Sequence, residues 1–288
     1  MGLMEAVLYG IVQGLTEWLP ISSTAHLRLL PLVLNQPDPG AAFTAVIQLG
    51  TTLAVLIYFG RDLCGALGAW AKSLAGGPKD TPEAKIGWGV FWGSLPIIVL
   101  GILFRHQIES PTVRSLYVVA TALIVMAIVM LVADRGTPGG RGIKAITIRD
   151  GLVVGIWQAL ALIPGMSRSG STISGALFAG LDRPTAARYS FLLSVPSVLG
   201  AGLFELYQER HTIFGQDLVP VVVATSVSFV VGYGSIAFLV QWIQKRGLTL
   251  FVAYRVVLGL VLLGLLSQGV VKPVDEPAPS ENRVSSNR

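Results

Sequence analysis

The run from Gly10 to His26, GIVQGLTEWLPISSTAH, sets Gln13, Glu17, Ser22, Ser23, Thr24 and His26 inside an otherwise apolar segment. Gln13 and Glu17 are four residues apart and share one face of a helix, and Pro20 breaks that helix just beyond them. Ser22, Ser23 and Thr24 then supply capping residues for a second helix, whose free N–H groups and positive dipole end form an anion site, with His26 in its first turn. Glu17 suits a metal ligand or a general base, and Gln13 a hydrogen bond or a carbonyl ligand to a metal. Ser23 and His26 are three apart, so the imidazole could activate the hydroxyl as a nucleophile. Attack by His26 itself, or by water activated by Glu17, stays open at this point.

A second stretch, Gly155 to Thr172, reads GIWQALALIPGMSRSGST and repeats the plan of Gly-Ile-x-Gln, an apolar turn, a proline and a Ser- and Gly-rich restart. Arg168 stands there between Ser167 and Ser169 and between Gly165 and Gly170. A guanidinium fork matches phosphate oxygens, the hydroxyls add donors, and the glycines let backbone N–H groups approach an anion. An arginine at membrane depth costs about 2.5 kcal/mol or more unless a partner or ligand meets it, which argues that Arg168 has a function. Four other polar positions have blander readings. Gln48 is expected to hydrogen-bond between helices. Arg255 is expected to be structural, pairing with Glu17 or Glu205 or snorkelling. His106 and His211 are expected in solvated loops.

These residues need elements that hold them within a bilayer. The chain has 288 residues, 52% of them hydrophobic and only 13% charged, far from the balance of a soluble domain. The apolar stretches lack the alternation of a barrel, so the class is an all-α integral membrane protein. With no Lys or Arg before Arg28, no cleavable signal peptide is expected. Cys64 is the single cysteine, and the net charge of +5 is spread over loops, which argues against nucleic acid as a partner.

In order, the chain reads as a broken segment over 5–34, a helix over 43–59, a mobile polar loop over 61–85, and spans over 86–104 and 116–133. A second broken segment over 151–180 precedes spans over 189–207, 219–242 and 250–266. This predicts six transmembrane helices plus two re-entrant helical hairpins in one membrane domain, 1–267, with repeat one at 1–133, a linker at 134–150 and repeat two at 151–267. Three crossings per half invert the second half relative to the first, an inverted-topology repeat in which broken helices meet near the midplane. Loops on one side carry 12 Lys plus Arg, four in 61–86, four in 134–150, two in 181–188 and two in 243–249, against 7 on the other. The positive-inside rule then places the first set in the cytoplasm and both termini outside. Residues 268–288, rich in Pro, Ser and charge, read as a disordered tail.

Gln13-x-x-x-Glu17, Ser-Ser-Thr-x-His at 22–26, FTAVIQLG at 43–50 and PGMSRSGST at 164–172 resemble the bacterial undecaprenyl-diphosphate phosphatase family, of the bacitracin-resistance type. The resemblance runs to about residue 267. Ala25 stands where the family pattern has Gly, and Gln13 stands where Glu or Gln is accepted. It implies a hydrolase of the bacterial inner membrane that converts undecaprenyl diphosphate to undecaprenyl phosphate and inorganic phosphate. The site would open to the periplasm, and the activity would serve peptidoglycan synthesis, cell shape and antibiotic resistance. It implies Glu17, Ser23, His26 and Arg168 as the catalytic group, with Gln13, Ser22, Thr24, Gly165, Ser167, Ser169, Gly170 and Thr172 around the diphosphate. A divalent cation, Mg²⁺ or Ca²⁺, would sit on Glu17 and Gln13. The expected partners are a polyprenyl diphosphate lipid, the membrane and a second copy in a homodimer. The rival class is a transporter or flippase of a phospholipid or anion, because inverted repeats with midplane hairpins are a transporter plan. The other spans offer little beyond Gln48, Gln241 and Arg255 to line a polar path, which favours the enzyme.

Overall fold

A computed structural model describes residues 1–108, 110–136, 140–210 and 218–274. His211 and the tail from 275 onward lie outside the described residues, so the expectations for them are not taken further.

The first broken segment is α1 (Leu3–Trp18) followed by α2 (Ser23–Leu34), and the second is α8 (Ile148–Ala159), a 3-10 turn at Leu160–Leu162, and α9 (Arg168–Phe178). Pro20 and Pro164 lie in the two breaks, where a proline removes a donor that the helix would need. Each break restarts on a serine with positive φ, Ser22 at 75° and Ser167 at 68°. Their hydroxyls accept from the N–H groups of Ala25 and Gly170, so the two hairpins are capped alike.

The remaining elements are α3 (Gly40–Tyr58), α4 (Gly60–Leu74), α5 (Pro82–Leu103), the short α6 (Arg105–Ile108), α7 (Leu116–Arg135), α10 (Arg183–Gln208), α11 (Leu218–Arg246) and α12 (Thr249–Ser267). Five of them, α5, α7, α10, α11 and α12, are long and apolar enough to cross a bilayer, and α3 with α4 supplies a sixth if the bent pair counts as one span. The loop expected over 61–85 is a correction: residues 60–74 are helical, bent by 80° from α3. Arg61, Asp62 and Lys72 make the stretch look like a loop, yet α4 packs on α5. Trp70 of α4 meets Trp88 and Phe91 of α5 at ring-centroid distances of 6.0 and 5.7 Å. A helix turned so far from its span, with tryptophans alongside, has the character of an interfacial segment.

Small residues set the packing of the first hairpin arms. Gly10 and Gly14 seat α1 on α11, where an added Cβ would come within 2.5 Å of the Ala224 carbonyl oxygen and 2.7 Å of Val231 Cβ. Gly151 and Gly155 seat α8 on Gly89 and Gly93 of α5, glycine against glycine at the same spacing of four, so close that any side chain would overlap the facing backbone. Apolar side chains gain little from leaving lipid for protein, so such close backbone approach is what holds helices together in a membrane. Both arms therefore pack on a span from the opposite half of the chain.

The loop face carrying most of the basic residues is stapled by ion pairs, Arg183 Nε to Asp134 at 2.6 Å and Arg188 Nε to Asp62 at 2.6 Å. Arg141 makes a two-pronged contact with Asp150, at 2.9 and 2.6 Å, at the start of α8. Burial pushes the Asp150 carboxyl up, but the hydrogen bonds from Arg141 and Thr147 outweigh it and hold it below the ordinary carboxylate value.

Candidate active site

The two hairpin breaks meet at one carboxylate. Glu17, at the end of α1, is buried at 6% exposure. Its Oε1 accepts from Arg168 Nη2 of the second hairpin, and its Oε2 accepts from Gln13 Nε2 at 2.9 Å and from Ser23 Oγ at 2.7 Å. Ser23 and Arg168 each directly follow a capping serine, so they occupy corresponding places in the two hairpins. The halves differ where the acid stands. Four residues beyond Gln13 comes Glu17, whereas four beyond the matching Gln158 comes Leu162. One carboxylate therefore serves two helix N-termini.

Arg168 is fixed on a second side by Trp18, whose ring centroid lies 5.3 Å from the guanidinium carbon. Trp18 is itself buried edge-to-face against Phe191, at 5.3 Å. A cation over an indole face contributes about 0.5–2 kcal/mol, more as water is excluded, and it orients the fork. Gly165 has φ of +97° and passes within reach of the α7 backbone, a conformation and a closeness that a side chain would not tolerate.

Around these groups lies a cavity of about 170 Å³, lined by Glu17, Ser22, Ser23, Thr24, Gly165, Ser167 and Arg168, with Ile97, Ile163, Val198 and Ala201 as apolar wall. Other expected site residues stand behind or beside it. Gln13 is fully buried behind Glu17. Ser169 donates to the Leu19 carbonyl at 3.2 Å, and Thr172 exchanges a 2.5 Å hydrogen bond with Ser190. These two tie α9 to the first hairpin and to α10, and Gly170 gives its N–H to the Ser167 cap.

His26 is turned elsewhere. Its Nδ1 lies 2.8 Å from the Ser22 carbonyl oxygen, and its Nε2 lies 2.6 Å from Tyr254 Oη, with the two rings stacked. A carbonyl only accepts, so Nδ1 carries the proton and the Tyr254 hydroxyl donates to Nε2. The imidazole is not brought to the Ser23 hydroxyl, and Glu17 holds that place instead.

Two readings of polar residues are corrected here. Gln48 lines the cavity and makes no side-chain hydrogen bond to another helix among the described residues. Among the described residues Arg255 has no carboxylate partner. Fully buried, it donates to carbonyl oxygens of Pro20 at 3.3 Å, Gly165 at 2.8 Å and Met166 at 3.3 Å in the two breaks, and to Ala122 at 3.3 Å and Leu123 at 3.2 Å on α7. Carbonyls at helix breaks have lost their helical donors, and one guanidinium satisfies both sets. Its expected structural role thus takes a more specific form, a clamp across the hairpin tips. The sequence reading missed the cavity residues Ser197 and Ile97, although each follows a proline inside a span, Pro196 and Pro96, and such a proline marks a distorted helix.

The fold and this site define a class, a polytopic membrane protein in which two re-entrant hairpins present a carboxylate, a hydroxyl and a guanidinium at paired helix N-termini. Such a constellation suits a phosphate-bearing ligand. The family model described as "Bacitracin resistance protein BacA" matches residues 6–261, and the chain belongs to that family. A protein of Chlorobaculum tepidum named undecaprenyl-diphosphatase is 47% identical over 283 residues, covering 95% of this chain and all of the relative. A protein of the same name from Pseudarthrobacter chlorophenolicus is 50% identical over 276 residues, covering 94% and 99%.

Proposed function

We propose that this protein hydrolyses undecaprenyl diphosphate to undecaprenyl phosphate and inorganic phosphate, returning the lipid carrier to peptidoglycan synthesis and conferring bacitracin resistance. The family and the names of its relatives support the reaction. The observation that carries it is the Glu17 carboxylate, held by Ser23 of one hairpin and Arg168 of the other.

In this reading Ser23 Oγ attacks the distal phosphorus while Glu17 Oε2, already 2.7 Å away, takes its proton. The bridging P–O bond breaks, and the prenyl monophosphate leaves with the electron pair. Glu17 passes the proton to the departing prenyl phosphate, then takes one from the attacking water and returns it to Ser23 Oγ as the Ser23 O–P bond breaks and inorganic phosphate is released. Arg168 and the N–H groups at the starts of α2 and α9 hold the phosphoryl oxygens, where charge develops. The prenyl chain runs along Ile97, Ile163, Val198 and Ala201.

A divalent cation, Mg²⁺ or Ca²⁺, fits this site as a companion of the diphosphate. Among the described residues no three His, Cys, Asp or Glu side chains cluster to cage a metal. The buried Gln13 Oε1, however, is an acceptor without a partner beside Glu17. Those two would hold the ion, with water and phosphate oxygens as its other ligands. Once bound, it supplies charge neutralisation on the diphosphate.

We place the protein in the bacterial inner membrane with the site open to the periplasm, because the loops with 12 basic residues then face the cytoplasm. Purified protein in detergent should release monophosphate from a prenyl diphosphate, and Glu17→Gln or Arg168→Ala should lower kcat/KM by roughly 10²-fold or more. Full turnover in either variant would overturn the assignment, and a protein that moves the lipid without releasing phosphate would be a transporter.

A further inference from the structure

The catalytic cavity does not end at Thr24 and Gln48. Those two side chains also line a second cavity of about 60 Å³, whose other walls are Leu27, Arg28, Asp38, Gly40, Thr44 and Arg114. That space equals about two liquid-water volumes, the scale of one tetrahedral oxyanion. Its charged groups are two guanidiniums and one carboxylate, so cationic charge is in excess. Asp38 is partly engaged already, since its Oδ1 accepts from Gly40 N–H at 2.8 Å. Arg114 makes no side-chain hydrogen bond or ion pair with the described residues, and its fork is available to a ligand.

Hydrolysis yields two products of unlike chemistry. The prenyl monophosphate keeps its tail among Ile97, Ile163, Val198 and Ala201, whereas inorganic phosphate is small, dianionic and has no apolar part. We propose that the annex lined by Arg28 and Arg114 is a subsite for the inorganic phosphate product, reached past Thr24 and Gln48, and that phosphate leaves through it on the face opposite α4. The proposal rests on the hydrolysis argued above. It assigns Arg28 and Arg114 to the released anion and not to the reacting diphosphate. Both arginines lie in segments on the side with fewer basic residues, the side placed outside the cell, so the anion departs into water without crossing the lipid.

The test is product inhibition of the full-length protein in detergent. Initial rates are followed as prenyl monophosphate formed, while inorganic phosphate is added at increasing concentration. Arg114→Gln and Arg28→Gln should each raise the half-inhibiting phosphate concentration roughly tenfold, with kcat/KM at zero added phosphate within about twofold of the parent. Arg114→Lys, which keeps the charge, should recover most of the phosphate sensitivity. Arg61→Gln, in the cavity of about 520 Å³ formed with Asp62, Arg188 and Gln244, should leave it unchanged. Unchanged phosphate inhibition in both glutamine variants would overturn the subsite, and so would a loss of kcat/KM that tracks the loss of inhibition, since the charges would then serve the substrate. A protein that forms no monophosphate at all would instead sink the underlying hydrolysis.

Discussion

At the scale of single residues, the placement of His26 separates two nucleophile schemes. An imidazole relay needs Nε2 at the Ser23 hydroxyl, but Nε2 is occupied by Tyr254 Oη at 2.6 Å and Nδ1 by the Ser22 carbonyl. Glu17 Oε2 is the base within reach, at 2.7 Å. Ser23→Ala should therefore lower kcat by about 10²–10⁴-fold, the range expected when a positioned nucleophile and its proton acceptor are uncoupled. His26→Ala should cost less than a tenth of that, and Tyr254→Phe no more than His26→Ala, because both break the hydrogen-bonded chain from the Ser22 carbonyl through His26 to Tyr254 and neither touches the Ser23–Glu17 pair. Single-turnover assays on the three variants check this order, and a His26→Ala defect as deep as that of Ser23→Ala would restore the relay. The sequence presented Ser23 and His26 as neighbours three apart on a helical turn, which is true of their backbone positions. It carried no sign of Tyr254, 228 residues away, which decides where the ring points.

At the scale of elements, the hairpins and spans were readable because prolines, capping serines and apolar runs are local signals. Pro20 and Pro164 fall in the breaks, and the boundaries of the five long spans agree with expectation to within a few residues, except at the start of α10. What failed was non-local. The 60–74 stretch shows charges and glycines before it shows a helix, and its reason to fold is the aromatic surface of α5. Arg255 sat in an apolar span with no visible partner because its partners are backbone carbonyls, which leave no mark in a sequence. Its clamp carries a prediction. Arg255→Leu would strand carbonyls at both breaks in a buried place, costing about 3 kcal/mol or more and detaching the two helix N-termini from each other. Arg255→Lys should rescue little, because a single ammonium with three donors cannot span five oxygens on three elements. Thermal unfolding in detergent should fall for both, with activity lost at temperatures where the fold persists. A second expectation concerns the start of α8. Since Asp150 is held below its ordinary pKa when folded, its contribution to stability is present above the unfolded value near 3.8 and lost as pH falls through the folded one. Asp150→Asn should therefore lower the unfolding temperature at neutral pH and flatten its decline below about pH 4, discounted because Arg141 is 40% exposed.

At the scale of the whole molecule, the halves are interlocked, each completing the other's hairpin. The first arm of hairpin one lies on α11 through Gly10 and Gly14, and that of hairpin two lies on α5 through Gly151 and Gly155. A defect in one interface should therefore be felt at the shared carboxylate. Gly155→Leu would drive a side chain into the α5 backbone and displace Arg168 from Glu17, so folded yield and activity should fall together. The orientation proposed above is one that a native residue can report. Cys64 is the sole cysteine, exposed on α4 between Arg61 and Lys72, on the face with the larger basic count. If that face is cytoplasmic, a membrane-impermeant maleimide should leave Cys64 untouched in intact cells and label it once the membrane is permeabilised. A Cys64→Ser protein carrying Thr112→Cys, in the exposed turn before α7, should show the reverse and label without permeabilisation. The pair protects against a thiol that is merely slow to react, since each cysteine is compared with itself across the two conditions. Labelling of Cys64 from outside intact cells, with Thr112→Cys silent, would invert the molecule. The Arg28 and Arg114 annex would then open toward the cytoplasm, and the hydrolysis argued here would draw on lipid from the inner leaflet.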